Sequence, residues 1–340
     1  MKKVKVGIAG LGRLGKVHAN NIAFKIPNAE LTAACSIIPA ELDYARNELG
    51  VEDVYTDYRE MLEKADIDAV AIVTTSSEHC WQIAAALDAG KHVFSDKPLG
   101  VTVEECRLAE AAVERHPELI FFLGFMRRFD PSYAYAKKKI EEGAIGTPYM
   151  VKAAGIDPEA LAEGAIKFAA TSGGIFIDMA IHDIDLMRWF LGSDPVEVYA
   201  AGATFKHPEF REAGDDETGA AMYRCENGAL GFVHVGRTAA HGYHVETEII
   251  GTEGSLRISS VPEKNLCMIY DKNGAVVECV GGFPERFAQA YLLEMQEFAD
   301  CVETGRKPDV TVYDGTRSTQ IGFATTEAWK KGGIVKIASS

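Results

Sequence analysis

Lys3-Val-Lys-Val-Gly-Ile-Ala-Gly10-Leu-Gly12-Arg13-Leu14-Gly15 decides the reading of this chain. An apolar strand pattern, Val4 to Ala9, runs into Gly-x-Gly-x-x-Gly, and a helix-compatible stretch, Leu14 to Phe24, follows at once. Gly10 allows a tight turn, Gly12 lets the backbone approach a pyrophosphate, and Gly15 lets the helix pack closely. The first turn of that helix, with Arg13 and Leu14, then offers free N–H groups to the negative charge. Glycine triplets alone are common; the position between a strand and a helix gives this one its weight.

Working outward, strand-like runs at Leu31 to Cys35, Ala69 to Val73, His92 to Ser95 and Ile120 to Gly124 alternate with helical stretches. These are Ala40 to Leu49, Tyr58 to Lys64, His79 to Ala89 and Val103 to Arg115. Such alternation predicts a parallel sheet. After a long helix, Pro131 to Glu142, the style changes, and from about residue 196 strands follow one another with short turns. Asn227-Gly228 is a strong hairpin signal and Lys272-Asn273-Gly274 a looser one. Helices at Ile181 to Leu191, Arg286 to Thr304 and Gly315 to Lys331 are expected to cover one face of this second sheet. The expected fold is α/β: an N-terminal Rossmann dinucleotide-binding domain at 1–124, then a substrate-binding and oligomerisation α/β domain at 125–340 with an open, mainly antiparallel sheet.

Composition narrows the function. A chain of 340 residues with 47% hydrophobic content can fill two cores. The formal net charge of -15 would repel phosphate backbones, which argues against nucleic acid as a partner. Seven scattered cysteines without CxxC pairs read as small core residues in a reducing compartment, and neither a disulfide framework nor a metal site is expected. With no long apolar segment, a cytoplasmic protein without membrane contact is expected.

The cofactor end carries one departure. The acidic residue that binds the adenosine ribose lies about 20 residues beyond the glycines in this class of fold. Here the second strand ends Ala34-Cys35-Ser36-Ile37-Ile38, and the acid is missing. Ser36 is a neutral partner that does not repel a 2'-phosphate, yet no arginine follows to attract one. NAD is expected because NADP needs a positive partner, supplied from elsewhere by Arg13 or Arg46 if at all; NADP stays open because Ser36 replaces the acid.

Three motifs at this spacing resemble the glucose-fructose oxidoreductase and inositol dehydrogenase family (Gfo/Idh/MocA). They are Gly10-Leu-Gly12-Arg-Leu-Gly15-Lys-Val-His18, Ala89-Gly90-Lys91-His92-Val93-Phe94-Ser95-Asp96-Lys97-Pro98-Leu99 and Ser172-Gly173-Gly174-Ile175-Phe176-Ile177-Asp178-Met179-Ala180-Ile181-His182-Asp183-Ile184-Asp185. Gly124-Phe-Met-Arg127-Arg128-Phe129 resembles the inositol 2-dehydrogenase branch. The resemblance implies an NAD(P)-dependent oxidoreductase acting on a CH–OH group, with myo-inositol oxidised to 2-inosose as the leading reaction and a role in inositol catabolism. A scyllo-inositol or aldose dehydrogenase, or a nucleotide-binding sensor without chemistry, are the alternatives.

The same resemblance implies the site. Lys97 sits beside the nicotinamide and the reacting hydroxyl, where a partly dry pocket lowers a lysine pKa; the family's Glu-Lys-Pro is Asp96-Lys97-Pro98 here, with a peptide before the proline that is often cis. His182 takes the hydroxyl proton, a role suited to imidazole. Asp178 binds and orients the polyol; if the segment is helical, the two share a face. Arg127 holds neighbouring hydroxyls with its fork; adjacent residues on an extended segment point opposite ways, so one of Arg127 and Arg128 is expected only to pair with an acid. Tyr291 lines the polyol pocket, and Thr74 and His79 approach the cofactor from the turn after the third strand. Tyr243-His244 replaces the Tyr-Asp of many inositol dehydrogenases. A homotetramer is expected from the family.

Overall fold

The computed structural model describes residues 3–169, 172–258, 263–272 and 274–338. The chain forms two compact units, residues 1–130 with 289–319 and residues 131–288 with 320–340.

The first unit is a Rossmann domain. Strands β1 (Val4–Ala9), β2 (Ala29–Cys35), β3 (Asp53–Tyr55), β4 (Ala69–Ile72), β5 (His92–Asp96) and β6 (Phe121–Gly124) form one sheet in the order β3-β2-β1-β4-β5-β6. Every pairing is parallel. The intervening helices are α1 (Arg13–Phe24), α2 (Pro39–Leu49), α3 (Tyr58–Lys64), α4 (His79–Asp88) and α5 (Val103–Arg115). The strands read as apolar runs because helices bury both sheet faces. Strand order reverses between β1 and β4, and the crevice at such a reversal is where this architecture binds ligands.

The core of this unit joins Ile8, Ala34, Ala71, Phe94 and Phe122 to Met295, Phe298, Ala299 and Cys301 from the helix Ala288–Thr304. That helix was expected over the second sheet; it belongs to the first unit from Gln289 onward because its apolar stripe completes the Rossmann core. The first unit also runs past the expected end at 124, since Phe129 lies against Phe122 with ring centroids 5.4 Å apart and Arg128 reaches Asp314 at 3.1 Å.

The second unit holds a seven-stranded mixed sheet. Strands β7 (Pro148–Pro158), β8 (Pro195–Ala203), β9 (Thr218–Cys225), β10 (Leu230–Ala239), β11 (His244–Gly251), β12 (Ser255–Ile258) and β15 (Val335–Lys336) lie in the order β12-β11-β7-β10-β9-β8-β15. Only β7 and β10 pair in parallel. The β9–β10 hairpin turns at Asn227-Gly228, with Gly228 at φ 85°. A separate antiparallel pair joins β13 (Glu263–Asp271) and β14 (Gly274–Cys279); of its expected turn, Asn273 lies outside the described residues.

One face of the large sheet is covered. The Met187 side chain of the helix Ile181–Leu191 lies over Gly231, and in the helix Val312–Lys331, Thr325 meets the Tyr223 hydroxyl at 3.0 Å while Trp329 lies over Gly202. The other face carries a row running Tyr199, Met222, Phe232, Lys152, Glu248 across five strands, all exposed or half-exposed. Among the described residues no helix is long and apolar enough to cross a membrane.

Candidate active site

In the first unit the site grows from the β1–α1 turn. Gly10 has φ 87°, and a Cβ there would stand 2.4 Å from the Val73 carbonyl oxygen, so β1 and β4 can approach only around a glycine. A Cβ on Gly15 would stand 2.1 Å from the Gly10 carbonyl oxygen. Gly12 differs: a Cβ would meet only Glu41 Oε1, at 3.9 Å, which leaves the space beside its backbone open. No side chain caps α1 at Gly12, whereas Asp57 caps α3 and Thr102 caps α5. An exposed turn with an uncapped helix start and Arg13 at its first position suits a pyrophosphate. Leu14 is half-buried behind it.

Ser36 closes β2 with both of its hydrogen-bonding roles engaged. Its hydroxyl donates to Glu41 Oε2 at 2.6 Å and accepts from the Ile38 N–H at 3.1 Å. Leu11 N–H donates to the same Glu41 oxygen at 3.2 Å. Glu41 was absent from the sequence-based site. It stands five residues past Ser36, on α2, where the fold's usual spacing does not look for it. Arg46 lies on the outer face of that helix with Asp43.

Lys97 follows β5 and is half-buried, with a cis peptide to Pro98. His79 secures this turn from behind. The buried ring has Nδ1 2.7 Å from the Pro98 carbonyl and Nε2 3.2 Å from the Thr74 carbonyl, so it ties the ends of β4 and β5 together instead of standing out toward a ligand. The Thr74 hydroxyl donates to Gln82 Oε1 at 2.6 Å. Burial raises the Asp96 carboxyl, with Lys97 and His79 opposing.

Beyond β6, Met126–Phe129 is a 3-10 turn, not the extended segment expected, and its two arginines are both buried. Arg128 pairs with the Asp314 carboxylate. Tyr291 is buried with its ring edge-on to His18 at 5.6 Å. Behind it His18 and Glu294 are wholly enclosed 3.8 Å apart. Burial lowers His18 to about 3 and raises Glu294 well above the usual carboxyl range.

In the second unit, Asp178 and His182 do not share a continuous helix. Asp178 ends the short helix Ile175–Asp178, the chain bends at Met179 and Ala180, and His182 is the second residue of the helix Ile181–Leu191. The break follows from Gly173 and Gly174, both at positive φ, which start a single turn whose Met179 and Ala180 N–H groups both close onto the Ile175 carbonyl. His182 and Asp178 are half-buried; Asp183 and Asp185 are buried.

Asp178 is held from below by a residue that was missed. Arg237, buried on β10, places Nη1 3.4 Å from Asp178 Oδ2 and Nη2 3.3 Å from Asp215 Oδ2. Asp215 Oδ1 accepts the Ile175 N–H at 2.9 Å, so one acid ties the arginine to the start of the Asp178 turn. Burial raises the Asp215 carboxyl, opposed by that N–H and by Arg237. The signal was in the alternation: Val233, Val235 and Arg237 are successive inward positions, and an arginine there requires buried acids. Tyr243 is core, edge-on to Phe287, and burial lowers the neighbouring His244. Five cysteines are buried as expected, but Cys267 is exposed and Cys279 half-exposed, because the two-stranded β13–β14 sheet leaves them outside a core.

Two family models cover the chain: an oxidoreductase family NAD-binding Rossmann fold at residues 4–125 and a GFO/IDH/MocA C-terminal domain at 133–257. A scyllo-inositol 2-dehydrogenase (NAD(+)) of Bacillus subtilis is 37% identical, over 98% of this chain and 96% of its own length. The crystal structure of scyllo-inositol dehydrogenase from Lactobacillus casei with bound cofactor NAD(H) and scyllo-inositol is 49% identical with a TM-score of 0.97, covering 99% of this chain and 100% of the other. The myo-inositol 2-dehydrogenase from Lactobacillus plantarum is 40% identical with a TM-score of 0.97, covering 99% and 100%.

Proposed function

This chain belongs to the Gfo/Idh/MocA oxidoreductase family, and from that premise we propose that it is an NAD-dependent inositol dehydrogenase whose first substrate is scyllo-inositol. The observation that carries the reading is the 49% identity, along the whole chain, to a scyllo-inositol dehydrogenase holding NAD(H) and its polyol. The open backbone at Gly12, the uncapped start of α1 and the half-buried Lys97 fit the cofactor. Gly10, Gly12, Arg13, Leu14 and Gly15 would hold its pyrophosphate side, with Ser36, Thr74 and Lys97 around the rest and His79 securing the Thr74 and Pro98 turns behind them.

Bound NAD supplies the acceptor for the hydride that leaves the alcohol carbon. The residues of this chain manage the oxygen. His182 takes the hydroxyl proton as the carbon–oxygen bond gains double-bond character, and the Lys97 ammonium donates to that oxygen and stabilises its developing negative charge. Asp178, steadied by Arg237, accepts from ring hydroxyls; Arg127 offers a planar fork to a neighbouring pair. Tyr291 closes the site from the core side. The retained trio of Lys97, Asp178 and His182 argues against a sensor without chemistry.

Identity favours the scyllo isomer over myo among these relatives, 49% against 40%, and the Tyr243-His244 departure agrees with a substrate outside the common myo-inositol pattern. Initial rates of NADH formation with scyllo-inositol, myo-inositol and glucose test this. Turnover of scyllo-inositol above myo-inositol is expected; no turnover of any inositol would reject the reading. We place the enzyme in the cytoplasm, as a homotetramer whose subunits meet through the uncovered sheet face.

A further inference from the structure

We propose that Glu41 reads the adenosine ribose in this protein and sets its preference for NAD over NADP. The proposal deepens the cofactor reading above and rests on it.

A carboxylate is useful at the ribose because it accepts from the 2'-hydroxyl and repels a 2'-phosphate. The strand end that ordinarily carries that acid is Ser36 here. Ser36 cannot supply the charge, because a neutral hydroxyl does not repel a 2'-phosphate. Its single hydroxyl proton goes to Glu41 Oε2 at 2.6 Å, and it already accepts from Ile38 N–H. The serine therefore positions the glutamate, and the glutamate supplies the charge.

Glu41 is fixed at one oxygen and open at the other. Oε2 accepts from Ser36 and from the N–H of Leu11, inside the glycine turn itself, at 3.2 Å. Oε1 accepts from no described group and lies nearest the open side of Gly12. A carboxylate bonded to the pyrophosphate turn on one side and to the end of β2 on the other stands between the two parts of a dinucleotide site that flank the ribose. The two residues after Ser36, Ile37 and Ile38, are 85% and 49% exposed. Two bare isoleucines beside the acid provide an apolar surface for a purine base.

Two of the nearby cations, Arg46 and Lys16, are engaged. Arg46 faces Asp43 at 3.5 Å on the outer side of α2, and the Lys16 ammonium lies 4.6 Å from the centre of the Tyr44 ring. With a carboxylate at the turn and these cations occupied, the local charge disfavours the extra phosphate.

The test is direct binding of NADH and of NADPH to the purified chain, followed by nicotinamide fluorescence, for wild type, Glu41→Gln, Glu41→Asp and Arg46→Ala. Wild type should bind NADH about ten- to a hundredfold more tightly than NADPH, the scale of hydrogen bonds to a charged group. Glu41→Gln keeps an acceptor for Ser36 and Leu11 but loses the charge, and should bring the two dissociation constants together. Glu41→Asp should keep the discrimination, which holds the proposal to account if the glutamine variant does not fold. Arg46→Ala should leave the ratio unchanged. Equal binding of both nucleotides by wild type, or an unchanged ratio in a folded Glu41→Gln, would overturn the assignment while leaving the dehydrogenase intact. Failure of wild type to bind either nucleotide would overturn the cofactor reading as well.

Discussion

Arg237 shows how a single buried charge can fix the carboxylate proposed to meet the polyol. It lies between Asp178 and Asp215 with almost no exposure, and removing one partner of such a group strands the others in a medium that solvates them poorly. Arg237→Ala should lower the unfolding free energy by about 3 kcal/mol, measured by urea denaturation, and should raise the KM for polyol more than that for NAD, since Asp178 loses its support. A second residue-scale prediction concerns His18 and Glu294. Whichever side chain carries it, the enclosed pair keeps one proton over a wide range, with His18 depressed to about 3 and Glu294 raised. The unfolded chain holds two protons on these groups below pH 4.5, one between 4.5 and 6.5, and none above 6.5. The pair's contribution is therefore greatest between pH 4.5 and 6.5. It falls on acidification because the unfolded chain binds more protons, and falls above 6.5 because the folded one does, by about 1.4 kcal/mol per pH unit on each arm. Glu294→Gln should abolish the alkaline arm and start the acid arm at 6.5 instead of 4.5; Asp96, which also faces Glu294, is retained in both proteins. Parallel denaturation profiles of the two proteins from pH 4 to 9 would contradict this account.

At the scale of elements, the β1–α1 turn separates folding from binding within three residues. Gly10→Ala would drive a methyl into the Val73 carbonyl at a backbone angle that disfavours any side chain, so loss of the folded Rossmann unit is expected. Gly12→Ala has room in the protein, so its thermal transition should stay near wild type while NADH affinity drops; unaltered affinity would remove Gly12 from the cofactor site. This turn was legible because its glycines, strand and helix are consecutive. The crossover helices were legible too, α3 and α5 to the residue, since caps and glycine stops are local. The three-residue edge strand β3 was not, as Asp53 and its neighbours carry no apolar run. Nor was the break between Asp178 and His182, where the spacing suits one helix and only the glycine-started turn reveals two. Glu41 was hidden for the same kind of reason: its acid reaches the strand end from the next helix.

For the whole molecule, the sequence marked both domains, but the return of residues 289–319 to the first unit depends on contacts across some two hundred positions that no local pattern encodes. The second sheet has one face under helices and one bearing Tyr199, Met222 and Phe232. Exposed aromatic strands of this kind mark association surfaces. A tetramer is expected by light scattering at micromolar concentration, and Phe232→Glu should shift it to smaller species; a wild-type monomer would count against the surface. The central claim is that the Lys97 ammonium and the His182 imidazole act on one alcohol beside the bound cofactor. A crystal structure with NADH and scyllo-inositol tests it most directly. Both nitrogens should lie within hydrogen-bonding distance of the same ring oxygen; nitrogens that address different hydroxyls, or separate cavities, would contradict it.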